Sequence, residues 1–181
     1  MNIYFVKLYC VQCNSVLLFN QTTKRLLRRL HFKLLKGWCL TMEHLYTAVA
    51  TAQGGRNGKV TSDDGVLNLE VKMPKELGGP GGAATNPEQL FAAGYAACFD
   101  SALNLVMRQK QIRSETQVTA HVTIGKDEAD GGFKLAVELN VSIPGVEMGT
   151  ANELVAAAHH VCPYSKATRD NIDVFIDVVQ A

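Results

Sequence analysis

A chain of 181 residues with 47% hydrophobic content can bury a sizeable core, and it fits one domain plus an appendage better than two domains. Its net charge of +1 conceals an uneven distribution: residues 1–41 carry 7 of the 18 basic residues and no acid, and the remainder carries 11 basic against all 17 acidic residues, a balance of −6. That acidic remainder is a poor candidate for nucleic-acid binding, and an odd count of five cysteines without a clear secretory signal argues against a disulfide framework and for a reducing, cytoplasmic setting.

In the leader, Leu26, Leu27, Leu30, Leu34 and Leu35 recur at helical spacing between basic residues, as in a transit peptide or a membrane-surface helix. An equally good account starts translation at Met42 and makes residues 1–41 upstream sequence read in frame. Cys10 and Cys13 form a lone CxxC with no second pair, so they are assigned no function, and neither is Cys39. The apolar run at residues 16–19 is too short for a signal peptide, and no stretch is expected to reach the length of a membrane span.

Short apolar alternations follow from Leu45, including Val66, Leu67, Leu69 and Val71. Turn signals at Gly54-Gly55, Asn57-Gly58 and Asp64-Gly65 divide the segment into about three strands joined as hairpins. The run 54–59 resembles a phosphate loop only faintly, because no Ser or Thr follows Lys59 and the spacing is wrong. Arg56 nevertheless sits on a tight glycine turn, where its guanidinium is either aimed or left to swing, and an arginine on a turn is ordinarily just solvated. Residues 74–85, rich in Gly and Pro, read as a loop.

Asn86 is a good N-cap and Pro87 suits the first helical position, so a helix is expected from there through Leu103 or beyond. Cys98 falls about three turns inside it. A thiol there cannot borrow the dipole of its own helix N-terminus and burial raises its pKa, so a reactive Cys98 needs a cation from elsewhere in the sequence. The bland alternative is a cysteine that packs as a small hydrophobe.

Val118, Ala120, Val122 and Ile124 alternate with polar residues, and Leu135, Val137, Leu139 and Val141 repeat the pattern after a turn at Asp130-Gly131-Gly132. This is a second antiparallel pair with one face buried and His121 on the polar face. Thr150 with Glu153 reads as a capping box opening a helix over residues 151–161, which Cys162-Pro163 ends. Pro163 can begin another turn, which would place Cys162 near a helix N-terminus. His159 and His160, being adjacent, face different sides and make no metal site. A last strand alternates Ile172, Val174, Ile176 and Val178.

Strands, helix, strands, helix, strand make an α+β domain. Both helices are apolar over more than one face, which predicts an obligate homodimer.

Taken together, Gly54-Gly55-Arg56, the run NPEQLFAAGYAACF at residues 86–99 and His160-Val161-Cys162-Pro163-Tyr164-Ser165 resemble the organic hydroperoxide resistance branch of the OsmC/Ohr family, over residues 43–181. The resemblance implies an intertwined homodimer of antiparallel strands around two central apolar helices, and a thiol peroxidase acting on organic hydroperoxides. It implies Cys98 as the peroxidatic and Cys162 as the resolving cysteine, Arg56 as the activating arginine and Glu88 as the carboxylate that holds it. It also implies a lipoyl dithiol on a partner protein as reductant, with no metal or bound organic cofactor. Phe91, Tyr95, Phe99 and Leu77 are candidate lining of an apolar substrate site, with ordinary core as the alternative for each. Two rival readings stand beside this one: a broader OsmC-type peroxidase, and a redox sensor or binding module that does not turn over.

An unperturbed thiol is only about 3% ionised at pH 7, so the arginine has a definite task. Geometry complicates it. Ten helical residues separate Glu88 from Cys98 by about 15 Å, whereas a guanidinium held on both sides bridges only about 8 to 9 Å. Either the helix breaks, at Gly94, or Glu88 acts from the partner subunit, and the apolar helices favour the partner.

Overall fold

The computed structural model describes residues 6–10, 15–19 and 43–179. The chain divides into two compact units, Met1–Ala48 and Val49–Ala181. The first holds an antiparallel hairpin of β1 (Val6–Cys10) and β2 (Ser15–Phe19). The helical reading of Leu26 through Leu35, and both Cys13 and Cys39, lie outside the described residues.

The second unit opens with the three expected strands, β3 (Ala50–Gln53), β4 (Gly58–Ser62) and β5 (Asn68–Val71), paired antiparallel in that order. Gly54 and Gly55 both turn through positive φ, and the Asn57 N–H closes the bend on the Gly54 carbonyl at 3.1 Å. After β5 the chain makes a 3-10 turn at Lys75–Leu77 and returns beside it, with Thr85 donating to the Glu70 carbonyl and accepting from the Lys72 N–H. This return sets the next residue, Asn86, close to the sheet.

Asn86 then caps α1 (Pro87–Gln109), its side chain accepting from the Gln89 N–H, as the sequence predicts. The helix is unbroken through Gly94. At 23 residues and a mean hydropathy of 1.4 over its most apolar window it is long and apolar enough to cross a membrane, which corrects the expectation that no stretch reaches that length. Its stripe Tyr95, Phe99, Ala102, Leu103, Val106 and Met107 is instead buried in the core of this unit, and a core helix covered on several sides carries the same composition as a span.

β6 (Gln117–Lys126) and β7 (Phe133–Ser142) pair antiparallel, and β8 (Asp173–Val178) joins β7 in parallel after the crossover through α2 (Met148–Val161) and α3 (Pro163–Thr168). Register lines up three apolar rungs: Val122, Val137, Val174; Ala120, Leu139, Ile176; and Val118, Val141, Val178. Those rungs, α1 and α2 share one core. His121 lies on the opposite, exposed face, as its alternation predicts.

The expected capping box is corrected. Glu147, not Thr150, caps α2, its carboxylate accepting from the Gly149 and Thr150 amides, so the helix starts earlier and Thr150 lies inside its first turn. Glu153 pairs with Lys110 instead. A side chain two bonds longer than the Ser or Thr of the usual box reached the same free amides from outside the S/T-x-x-E pattern.

α3 is tied down by a buried polar cluster: the Tyr95 hydroxyl lies 3.0 Å from Ser165 Oγ and 3.2 Å from Thr168 Oγ1, with all three residues buried. Replacing Tyr95 by Phe keeps the ring and removes the hydroxyl, stranding Ser165. Urea denaturation of Tyr95→Phe should show a loss of about 1–3 kcal/mol; an unchanged midpoint would mean the cluster contributes nothing net.

Candidate active site

Two pairs of chemistry-bearing side chains stand out, one at each end of the first half of α1. The first is Arg56 with Glu88. The glycine turn between β3 and β4 presents Arg56 to the first turn of α1, and the Asn57 side chain ties that turn to the Met73 N–H at 3.3 Å. The guanidinium makes a bidentate pair, Nη1 to Glu88 Oε2 at 2.8 Å and Nη2 to Oε1 at 2.6 Å. The hydrogen bond from Arg56 holds the Glu88 carboxyl below its usual range, against the opposing effect of partial burial, and Glu88 in turn raises Arg56. The pair therefore stays ionised throughout the neutral range. Pro87, Phe91, Ile124, Phe133, Lys134 and Leu135 complete a groove of about 360 Å³ around it.

The second pair is Cys98 with Cys162, whose sulfurs lie 3.6 Å apart with the Cys162 thiol donating. Cys162 is fully buried and Cys98 partly so; both are free thiols. Cys162 is the junction residue, ending α2 and preceding Pro163 at the first position of α3. Its N–H donates to the Ala158 carbonyl and its carbonyl accepts from the Lys166 N–H, both at 2.9 Å, so its backbone is held from two sides.

Burial pushes the Cys98 thiol above its ordinary pKa, and the backbone N–H of Tyr164 opposes this by facing the sulfur. Proline has no N–H, so Tyr164 supplies the first free amide of α3. The sequence placed Cys162 as the cysteine best served by a helix start; the structure turns that amide toward Cys98. Arg56 does not act on Cys98 within the chain. Its guanidinium is engaged at Glu88, ten residues back along a continuous helix and about 15 Å away along the axis.

Of the candidate lining residues, Phe91 borders the groove. Tyr95 and Phe99 are sealed in the core, and Leu77 is exposed on the 3-10 turn. Sequence reading missed Ile124, Phe133 and Leu135, which reach the groove from the β6–β7 hairpin, and it gave Tyr164 no role. The signal available for the hairpin was Phe133, an aromatic at the mouth of a strand, 71% exposed. His160 is exposed; His159 is half-buried with Nδ1 unpartnered, and burial lowers its pKa.

The family model described as "OsmC-like protein" matches residues 79–177. The chain is 56% identical over 141 residues to the organic hydroperoxide resistance protein OhrA of Bacillus subtilis, covering 75% of this chain and 97% of that one. It is 50% identical over 130 residues to the organic hydroperoxide resistance protein of Xanthomonas axonopodis pv. citri, covering 72% and 92%. Among solved structures, an organic hydroperoxide resistance protein from Elizabethkingia anophelis, with thiocyanate bound, superposes with a TM-score of 0.73 at 57% identity, over 77% of this chain and all of that one. Fold, motifs and these likenesses agree: the chain belongs to the OsmC-like family, on its organic hydroperoxide resistance branch.

Proposed function

We propose that this protein is a thiol-dependent peroxidase that reduces organic hydroperoxides to alcohols in oxidative stress defence, working in the cytoplasm. The observation that supports this best is the thiol pair, one sulfur partly exposed and one buried, 3.6 Å apart. The Cys98 thiolate attacks one peroxide oxygen, the O–O bond breaks, and the alkoxide leaves as alcohol on taking up a proton. Cys98 is then a sulfenic acid. The Cys162 sulfur attacks it, releasing water and forming a disulfide. An external dithiol, of lipoyl type as the family resemblance implies, returns both cysteines to thiols by exchange, with no bound metal or organic cofactor taking part.

Arg56 and Glu88 complete the site from across a homodimer interface. Within one chain the Arg56–Glu88 pair and the thiols are too far apart for the guanidinium to touch both. One chain also leaves too much uncovered: Leu67, just before β5, and Leu69 within it are exposed, as are Ala93, Ala97 and Leu105 on α1. A second copy covers this surface and sets Arg56 of one subunit beside Cys98 of the other, where it offsets the burial that raises the thiol and stabilises charge developing on the peroxide oxygens. The apolar wall of Phe91, Ile124, Phe133 and Leu135 favours bulky hydroperoxides over hydrogen peroxide.

Cys98→Ser should abolish peroxide consumption, whereas Cys162→Ser should react once and accumulate sulfenic acid at Cys98, or sulfinic acid where a second hydroperoxide reaches it. Mass spectrometry after one equivalent of an alkyl hydroperoxide checks this, and oxygen found on Cys162 in the wild type would reverse the roles. Arg56→Ala should move the inflection of thiolate ultraviolet absorbance to higher pH, because it removes the cation that opposes burial; an unmoved inflection would mean Arg56 does not ionise Cys98. Mixed Glu88→Ala and Cys98→Ser chains should regain activity on subunit exchange, since each heterodimer then has one intact site. Exchange without recovery would confine the site to one chain.

A further inference from the structure

Gly94 sits in the interior of α1, where alanine would favour the helix, so its presence calls for a local reason. The space supplies one. A Cβ built at Gly94 would meet the Tyr164 hydroxyl at 2.9 Å and ring carbons at 3.2 and 3.3 Å, closer than an unstrained contact. The Tyr164 ring, 39% exposed, thus rests on α1 at a point where any side chain larger than glycine's would push it outward. Phe91 and Tyr95 flank it, with ring centroids 6.1 and 5.7 Å from that of Tyr164. Gly94 and Cys98 are four residues apart and share a helix face, while Tyr164 and Cys162 bracket Pro163 at the start of α3. The turn that carries the resolving thiol is therefore docked on α1 at two adjacent points, ring on Gly94 and sulfur on sulfur. The Tyr164 amide, facing Cys98, belongs to the same turn.

We infer that Tyr164, seated on Gly94, is a positioning residue that sets the approach of Cys162 to Cys98 and so governs the fate of the oxidised cysteine. The inference deepens the peroxidase reading and rests on it for its substrate. A disulfide needs the sulfurs at about 2.0 Å, so from 3.6 Å they close by roughly 1.5 Å. The backbone of Cys162 is held by two hydrogen bonds, which leaves side-chain rotation and small shifts of the docked turn to cover that distance. Once Cys98 is a sulfenic acid two reactions compete for it. Attack by the Cys162 sulfur expels water and forms the disulfide. A second hydroperoxide adds another oxygen, giving sulfinic acid and a second alcohol. A ring seated on Gly94 keeps the first ahead; a lifted ring delays it and lets the second gain.

The test compares wild type, Gly94→Ala, Tyr164→Ala and the double variant Gly94→Ala with Tyr164→Phe, each full-length and reduced. Tyr164→Phe keeps the ring and removes the hydroxyl that an alanine methyl would strike first. Each is treated with rising concentrations of an alkyl hydroperoxide, and mass spectrometry gives the ratio of Cys98 sulfinic acid to Cys98–Cys162 disulfide. Gly94→Ala and Tyr164→Ala should raise this ratio about tenfold, as expected when a reacting group is misplaced by about half an ångström, given about a hundredfold for a full one, and the double variant should fall back toward wild type. Alanine favours the helix, so a change in helix stability alone predicts the opposite sign for Gly94→Ala. In a second arm a small aromatic disulfide forms a mixed disulfide at Cys98, and Cys162 displaces the aromatic thiolate, whose colour times the step without any peroxide. The same variants should slow that displacement by a similar factor. If wild type ignores the hydroperoxide yet the second arm behaves as stated, the peroxidase reading fails and the positioning role stands. Equal displacement rates in wild type and Gly94→Ala, or a double variant no better than Gly94→Ala, would overturn the role of Tyr164.

Discussion

A helix is a ruler, and α1 imposes its length on everything this protein can do. With no break between Glu88 and Cys98, the acid that holds Arg56 and the thiol that needs a cation are kept about 15 Å apart in each chain. Side chains on a helix lean toward its N-terminus, which turns Glu88 further from Cys98. The bidentate pair makes the separation firm, because Arg56 released to seek Cys98 would give up two charge-assisted hydrogen bonds at once.

Several small forces act on the Cys98 sulfur, and their balance decides its reactivity. Burial disfavours the thiolate and dominates within the chain; the Tyr164 amide opposes it. With a second thiol at 3.6 Å only one of the two sulfurs can readily carry charge. One amide does not overcome desolvation, so within a single chain the thiol form of Cys98 is favoured. On the dimeric reading, a cation arriving with a second subunit would reverse the balance and couple reactivity to assembly.

Much of this was legible in the sequence wherever the physics is local. Asn86-Pro87 started α1 because a cap and a proline act on their own neighbours, and alternation marked the strands because burial of one face has a period of two. Arg56 was legible as a residue on a tight glycine turn, aimed, swinging or simply solvated; the contact that aims it, Glu88, lies 32 positions away in sequence. What escaped depends on contacts between segments distant in sequence. The glutamate cap at Glu147 lies outside the usual pattern, the Tyr164 amide serves a sulfur 66 positions away, and Ile124 and Leu135 looked like any other strand residues until the hairpin was placed beside Arg56. Composition alone also cannot separate a core helix from a membrane span, since both are apolar all round.

The same economy explains why the first sheet looks unfinished. Among the strands β3, β4 and β5 Val71 is the one buried residue, while Leu69, and Leu67 just before β5, border solvent. Three strands with neither face buried are marginal by themselves, and the hydrogen bonds at Thr85 hold β5 to the chain leading into α1 without covering its sides. The hairpin turn of this exposed sheet carries Arg56. A partner that buries its apolar residues would fix the turn and deliver the cation in one act, so the incompleteness of the core and the incompleteness of the site in a single chain have one physical remedy. A sheet stable without a partner would leave the position of Arg56 independent of assembly; one that needs a partner ties activation of Cys98 to the folding of the dimer.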